Sequence, residues 1–370
     1  MKFKLFSSPK LMYKQMLEDI NKAEKYIYLE TYIYSRDEIG NQFRQALVKK
    51  AKQGVKVLLL IDALGSQGIR TRLSKIFNIN KHLGLNKAVD KEYFSDLEQA
   101  GGEVRFFKKI QYVFKMFEAN HERNHRKILV IDYRISYLGS ANITAACLEW
   151  RELALRLDDS ISVHFRDSFL NQWHREDNIS FKKIKFMFHK GFEIIHDIPA
   201  DKEMLAASRY VKIINRARRE ILIETPYFIP PIRLRKSLYR ALKRGVKVTI
   251  ILPCNSDVTI LDIVRNRYLG KFYKRGAHIL YYTKGILHSK LIIVDRKYFI
   301  LGSSNLDYRS FLHMHEINLL GKNKEIIQSL LAYFDSGLKD VRPFSYQEWK
   351  SRSSIKKILE LLGSLVDTYL

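Results

Sequence analysis

The sequence predicts an α/β protein of two related α/β domains, with one active site where the pseudo-twofold-related halves meet. Three observations predict it. Residues 49–62, KKAKQGVKVLLLID, resemble 240–253, RALKRGVKVTIILP, and KYIYLETYIY at 25–34 resembles EILIETPYFIP at 220–230. A His-x-Lys run followed by Gly-Ser-x-Asn also occurs twice. Such self-similarity marks a duplicated architecture. The 370 residues suit two copies at roughly 100–200 residues per domain. The expected division is 1–195 and 196–370, in the polar stretch HDIPADKEM (196–204).

Along the chain, MKFKLFSSPKLMYKQ carries lysines but no apolar h-region, so no signal peptide is expected. Nothing approaches the roughly 18 uninterrupted apolar residues of a spanning helix. The expectation is a cytoplasmic protein whose membrane contact is peripheral. In each half an apolar strand runs into a Glu-Thr pair and aromatics; a helix tail, a Gly-containing turn and a Val/Leu/Ile strand follow. Strand, helix and strand at these lengths predict right-handed βαβ units and a mainly parallel sheet covered on both faces. The strands GGEVRFF and GAHILYY end at Phe107 and Tyr282, 18 and 6 residues before the two motif histidines. The extra stretch 108–124 mixes aromatics with lysines, as does 180–192 with Phe181, Phe186, Phe188 and Phe192. Lysine with insertable aromatics suits an anionic bilayer surface; a core element with solvated lysines is the plainer alternative. In the tail, Ile355, Ile358, Leu359, Leu362, Leu365 and Val366 recur at helical spacing; the tail is expected to pack on the second domain, with membrane attachment through it the lesser alternative.

The sharpest signal is His125-Arg-Lys127-Ile-Leu-Val-Ile-Asp132 against His288-Ser-Lys290-Leu-Ile-Ile-Val-Asp295. Gly139-Ser140-Ala-Asn142 then matches Gly302-Ser303-Ser-Asn305. The register is constant: 288 − 125, 290 − 127 and 305 − 142 all give 163. A glutamate follows in an apolar strand each time, Glu152 and Glu316. Positions i and i+2 of a strand share a face, so each imidazole is expected beside its lysine. Imidazole, ammonium, hydroxyl and amide on one wall are groups wanted around a tetrahedral phosphate. One histidine would attack phosphorus and the other protonate the leaving oxygen. Lys127, Lys290, Ser140, Asn142, Ser303 and Asn305 would hold the phosphate oxygens without a metal or other cofactor. Asp132 and Asp295 end their strands, where turn chemistry favours a structural role although they complete the motif.

HxKxxxxD followed by GSxN, twice, resembles the phospholipase D superfamily, and within it the bacterial cardiolipin synthases of the short type without N-terminal membrane helices. The Tyr32 segment, TPYFIP (225–230), GSSNLDYRSF (302–311) and the tail around Trp349 carry the closer likeness. The resemblance implies His125, Lys127, Asp132, His288, Lys290 and Asp295 as the catalytic set and a covalent phosphohistidine intermediate on His125. It implies phosphatidyl transfer between phospholipid alcohols, as in cardiolipin synthesis from phosphatidylglycerol, with Glu152 and Glu316 orienting the histidines. Hydrolysis of phospholipid or nucleic-acid phosphodiesters is the alternative. One departure is Met314, where the family often has Asn two residues before the glutamate.

Composition narrows the partners. Lys+Arg 65 against Asp+Glu 39 leaves a formal charge of +26, which attracts anionic lipid, nucleic acid or phosphate esters. No nucleic-acid recognition motif accompanies the charge. Cys147 and Cys254 are too few for a disulfide scaffold and are expected to be reduced core thiols. His121-Glu122-Arg-Asn-His125 matches the zinc pattern HExxH, but that needs a helix, and the residues after it read as a strand. No P-loop or GxGxxG precedes a helix, and neither motif serine lies in a GxSxG elbow.

Overall fold

The structure, a computed structural model, describes residues 1–67, 88–111, 121–177, 186–199 and 204–363. It forms two compact units, Met1–Met187 and Phe188–Leu370. The expected division at 195/196 falls within a strand, Phe192–Asp197, which pairs with Met314–Gly321 of the second sheet.

In the first unit the strands are β1 (Lys2–Phe6), β2 (Tyr26–Thr31), β3 (Lys56–Asp62), β4 (Glu103–Phe107), the two-residue β5 (Arg123–Asn124), β6 (Ile128–Ile131), β7 (Ile135–Gly139) and β8 (Ala154–Asp158). The sheet order is β1-β8-β7-β6-β2-β3-β4. Helices α1 (Pro9–Asn21), α2 (Glu38–Lys52), α3 (Ala63–Gln67), α4 (Ser95–Gln99) and α5 (Ser162–Trp173) accompany it. The second sheet has β9 (Phe186–His189, which spans the division), β10 (Phe192–Asp197), β11 (Glu220–Glu224), β12 (Lys247–Pro253), β13 (His278–Tyr282), β14 (Leu291–Val294), β15 (Tyr298–Gly302), β16 (Met314–Gly321) and β17 (Val341–Pro343). They run in the order β17-β13-β12-β11-β14-β15-β16-β10-β9. Its helices are α6 (Leu205–Arg216), α7 (Ile232–Lys243), α8 (Thr259–Tyr273), α9 (Tyr308–Leu312), α10 (Lys324–Gly337), α11 (Tyr346–Ser351) and α12 (Ser354–Gly363).

The repeated KxGVKV segments become the same device. Gly54 and Gly245, both at φ 82°, end α2 and α7 in the left-handed conformation. Their N–H groups bond to Ala51 and Leu242 (2.9 Å each), and Val55 and Val246 reach back to Lys50 and Ala241 (3.1 Å each). This double bond pattern closes the helix and turns the chain into β3 or β12.

Only part of each sheet is parallel, which corrects the mainly parallel expectation. β2-β3-β4 and β11-β12-β13 pair in parallel. The motif strands β6-β7-β8 and β14-β15-β16 are antiparallel and join β2 and β11 in antiparallel pairing. The cause is the three-residue link after each motif strand, 132–134 and 295–297. A parallel crossover needs a dozen residues or more, so a link this short forces a hairpin.

The tail packs on the second unit as expected, but not through its apolar stripe. α12 packs on α8 through Glu360 and Gly363, both buried, while Ile355, Ile358, Leu359 and Leu362 face outward. A Cβ at Gly363 would collide with Val264, so that close approach decides which face docks. Leu365 and Val366 lie outside the described residues. Of the Phe/Lys stretches, 112–120 and 178–185, Phe181 included, also lie outside them. Phe188 is 66% exposed, whereas Phe192 is a core residue against Phe299. Cys147 is a buried thiol; Cys254 is only half-buried and accepts a hydrogen bond from Arg342 (3.6 Å).

Candidate active site

Each His-x-Lys lies just ahead of its strand, not within it: β6 begins at Ile128 and β14 at Leu291. The following apolar residues, all buried, anchor the segment in the sheet. His125 and Lys127 are buried, as are His288 and Lys290. Each lysine folds back so that Nζ donates to its own histidine's carbonyl, at 2.6 Å for Lys127 and 2.7 Å for Lys290. Lys290 Nζ also lies 3.0 Å from His288 Nε2. In the first unit Tyr32 stands edge-on to the His125 ring (5.0 Å) and under Lys127 Nζ (5.3 Å). The expected sharing of one surface by imidazole and ammonium is therefore present in both units.

The middle residue of the motif points the other way and is fastened by the glutamate of the Glu-Thr repeat. Glu30, at the end of β2, accepts from Asn124 Nδ2 (2.6 Å) and pairs with Arg126 (3.2 Å). Burial raises the Glu30 carboxyl above its ordinary value, with Arg126 and then Asn124 opposing. Glu224, at the end of β11, accepts from the Ser289 hydroxyl and from Tyr333 (2.6 Å). Thr31 and Thr225 donate to the carbonyls two residues on, Ile33 (3.0 Å) and Tyr227 (2.9 Å). The sequence shows these glutamates only as a repeat. Their doubled presence beside a doubled motif was the signal that they carry a shared task.

Asp132 and Asp295 do not join the histidines. They stand at the far end of β6 and β14, about 20 Å along an extended chain from His125 and His288. Asp132 accepts the N–H groups of Glu24, Lys25 and Tyr26 (3.1, 2.8 and 3.0 Å). Asp295 does the same for Arg218, Arg219 and Glu220 (2.9, 2.8 and 3.0 Å). Although partial burial opposes it, these backbone donors hold the Asp295 carboxyl below its ordinary range. Both aspartates adopt φ 52° at the hairpin, a conformation that Asp tolerates. They anchor β2 and β11, in keeping with the structural role that turn chemistry favours.

The Gly-Ser-x-Asn turns divide their work. Ser140 Oγ donates to Glu152 and accepts from Leu153 N (3.1 Å). Ser303 Oγ bonds to the carbonyl and N–H of Ile317 (3.2 and 2.9 Å). These hydroxyls bond within the protein, Ser140 to Glu152 and Leu153 just ahead of β8 and Ser303 to Ile317 of β16. Gly139 and Gly302 permit the approach, since a Cβ there would strike the Leu153 or Ile317 carbonyl. Asn142 Oδ1 accepts from Ile33 N (3.1 Å). Asn305 Oδ1 is buried without a hydrogen-bond partner among the described residues.

Glu316 is buried directly opposite Asp197 in the β10–β16 register. Asp197 Oδ1 accepts from Ala206 N (2.8 Å) at the start of α6. Burial, opposed by that N–H and aided by the Glu316 charge, pushes Asp197 up to about 8. Burial, opposed by its bond to Ser310 and aided by the same charge, pushes Asp307 up to about 7. Met314 occupies a buried β16 position two residues before Glu316. Residues 121–125 form no helix, so His121 and His125 do not share a helical face. Glu122 is instead paired with Lys108 and with Arg175 (3.2 Å).

A buried histidine with its lysine folded back onto it, in each of two α/β units, describes a phosphodiester-processing protein of the phospholipase D type. Both units match one family model, the phospholipase D-like domain of cardiolipin synthase, over residues 16–173 and 210–338. The cardiolipin synthase of Clostridium perfringens (strain 13 / Type A) is 32% identical, covering 98% of this chain and 75% of that one. The major cardiolipin synthase of Bacillus subtilis (strain 168) is 30% identical over 97% and 73%. In fold, the chain is similar to the phosphatidylserine synthase of Haemophilus influenzae, with TM-score 0.71, 18% identity, and coverage of 100% of this chain and 95% of that one. The chain belongs to the cardiolipin synthase family of phospholipase D-like proteins.

Proposed function

We propose that this chain is a phosphatidyltransferase that makes cardiolipin from phosphatidylglycerol at a membrane surface. The observation that carries the reading is the buried His-Lys pair, repeated in both units of a chain similar over nearly its whole length to cardiolipin synthases. His125 attacks the phosphorus of one phosphatidylglycerol, and a histidine N–P bond forms as the bond to the glycerol headgroup oxygen breaks. His288 gives that oxygen its proton, and glycerol leaves. A second phosphatidylglycerol then loses its headgroup hydroxyl proton to His288, its oxygen attacks phosphorus, and the N–P bond breaks to release cardiolipin. Lys127, Lys290, Asn142 and Asn305 stabilise the phosphoryl oxygens as charge builds. Glu152 and Glu316 orient the imidazoles, with Ser140 holding Glu152. Among the described residues no helix is long and apolar enough to cross a membrane, and the +26 charge supports attachment to anionic lipid.

The test is product analysis after incubating the protein with phosphatidylglycerol vesicles. Cardiolipin and glycerol in equal amounts are expected. Phosphatidic acid as the sole lipid product makes the protein a hydrolase, and cleavage of DNA or RNA without lipid turnover makes it a nuclease.

A further inference from the structure

A surface helix of a folded domain normally turns its apolar stripe inward. α12 does the reverse. Ile355, Ile358, Leu359 and Leu362 follow the i, i+3, i+4, i+7 spacing of a single stripe. All four are exposed, from 47% at Leu359 to 71% at Ile355. The helix is held by its polar side. Glu360 is buried and takes a two-pronged bond from Arg352 (2.6 and 2.7 Å), whose guanidinium stacks 3.9 Å from the Trp349 ring. Trp349 in turn donates to the Asn266 carbonyl (2.7 Å) and packs on Gly270 of α8. The orientation is thus fixed by an ion pair, a ring and a small-residue contact, and the outward stripe is presented rather than frayed.

We propose that this stripe is the protein's bilayer-seating element, lying in the headgroup layer of an anionic membrane with its Ile and Leu side chains among the acyl chains. Three observations choose that occupant. Lys356 and Lys357 are exposed on the same helix, where they would meet lipid phosphates as the stripe inserts. The +26 charge draws the chain to an anionic surface and makes two copies repel. The area also argues against a second copy. Ten residues make a helix about 15 Å long and 10 Å across, an outline on the order of 150 Å². A stable dimer needs about 800 Å² per partner. The choice of a bilayer also draws on the phospholipid reading above.

The test is sedimentation of the full chain with phosphatidylglycerol–phosphatidylcholine vesicles at low and high salt, with lipid products scored separately. The combined variant Ile358→Ser, Leu359→Ser, Leu362→Ser should keep the wild-type unfolding midpoint, because it alters exposed side chains. It should lose about tenfold or more of the salt-resistant vesicle binding. The fluorescence of a single Ile358→Trp variant should be quenched by brominated lipid beyond the wild-type level, a readout that does not depend on the triple variant folding. Equal salt-resistant binding by wild type and triple variant, or no quenching beyond wild type in the Ile358→Trp variant, overturns the proposal. So does a wild-type dimer that the triple variant converts to a monomer. Cardiolipin formation with stripe-independent binding defeats this inference and leaves the function standing; stripe-dependent binding without cardiolipin does the opposite.

Discussion

His125 and His288 carry different halves of one reaction in the proposed mechanism, so neither can stand in for the other. His125→Ala and His288→Ala should each lower turnover by at least about a thousandfold, since a whole step is lost. Wild-type turnover in either variant defeats the mechanism, and phosphohistidine trapped on residue 288 reverses the assignment. Asp197 offers a test at the same scale that needs no substrate. Its folded value of about 8 lies above the ordinary carboxylate value, so the native state holds a proton the unfolded chain releases near pH ~4. Native stability from this group is full below about pH 4 and falls as pH rises toward 8. Asp197→Asn keeps an oxygen for the Ala206 N–H and abolishes the titration. The variant should therefore gain on wild type from about pH 5 to about pH 8 in urea midpoints; a gap that is constant with pH contradicts the raised value.

β2 and β11, the strands that join the parallel and antiparallel parts of each sheet, are fastened at both ends. Asp132 and Asp295 hold where β2 and β11 begin, and Glu30 and Glu224 hold the motif where they end. The Asp295 carboxyl is depressed, so its contribution is present above its unfolded value and lost as pH falls through the lower folded one. Asp295→Asn should lower the unfolding midpoint at about pH 7, and the deficit should close below about pH 4. Because this anchor is far from the histidines along β14, the variant's KM should change little. A variant that is fully stable yet inactive would move Asp295 back into the chemistry.

For the molecule as a whole, the proposed mechanism has two lysines and two asparagines supply the charge stabilisation that a metal would otherwise give. Activity is expected to survive EDTA; loss that zinc or magnesium alone restores would return attention to the segment 121–125. Long-range attraction from the +26 charge should make initial binding to anionic vesicles fall steeply with salt. Binding that is equal at low and high salt would show that charge contributes little.

The sequence by itself determined the duplication, the two His-x-Lys and Gly-Ser-x-Asn motifs and the family, because chemistry that must recur leaves the same residues at the same spacing. The helix-ending glycines 54 and 245 were legible too, since only a residue without a Cβ adopts φ 82° freely. What pairs with what was decided by the tertiary structure. The three-residue links after β6 and β14 made the motif strands antiparallel, although the apolar run reads the same for a parallel strand. The serine hydroxyls were turned toward β8 and β16, and the aspartates toward strand starts more than a hundred and more than seventy residues upstream. α12 was likewise docked by Glu360 and Gly363 rather than by its leucines. Periodicity reports that a helix has an apolar face, but which face is buried depends on partners distant in sequence, and those meet only when the chain has folded.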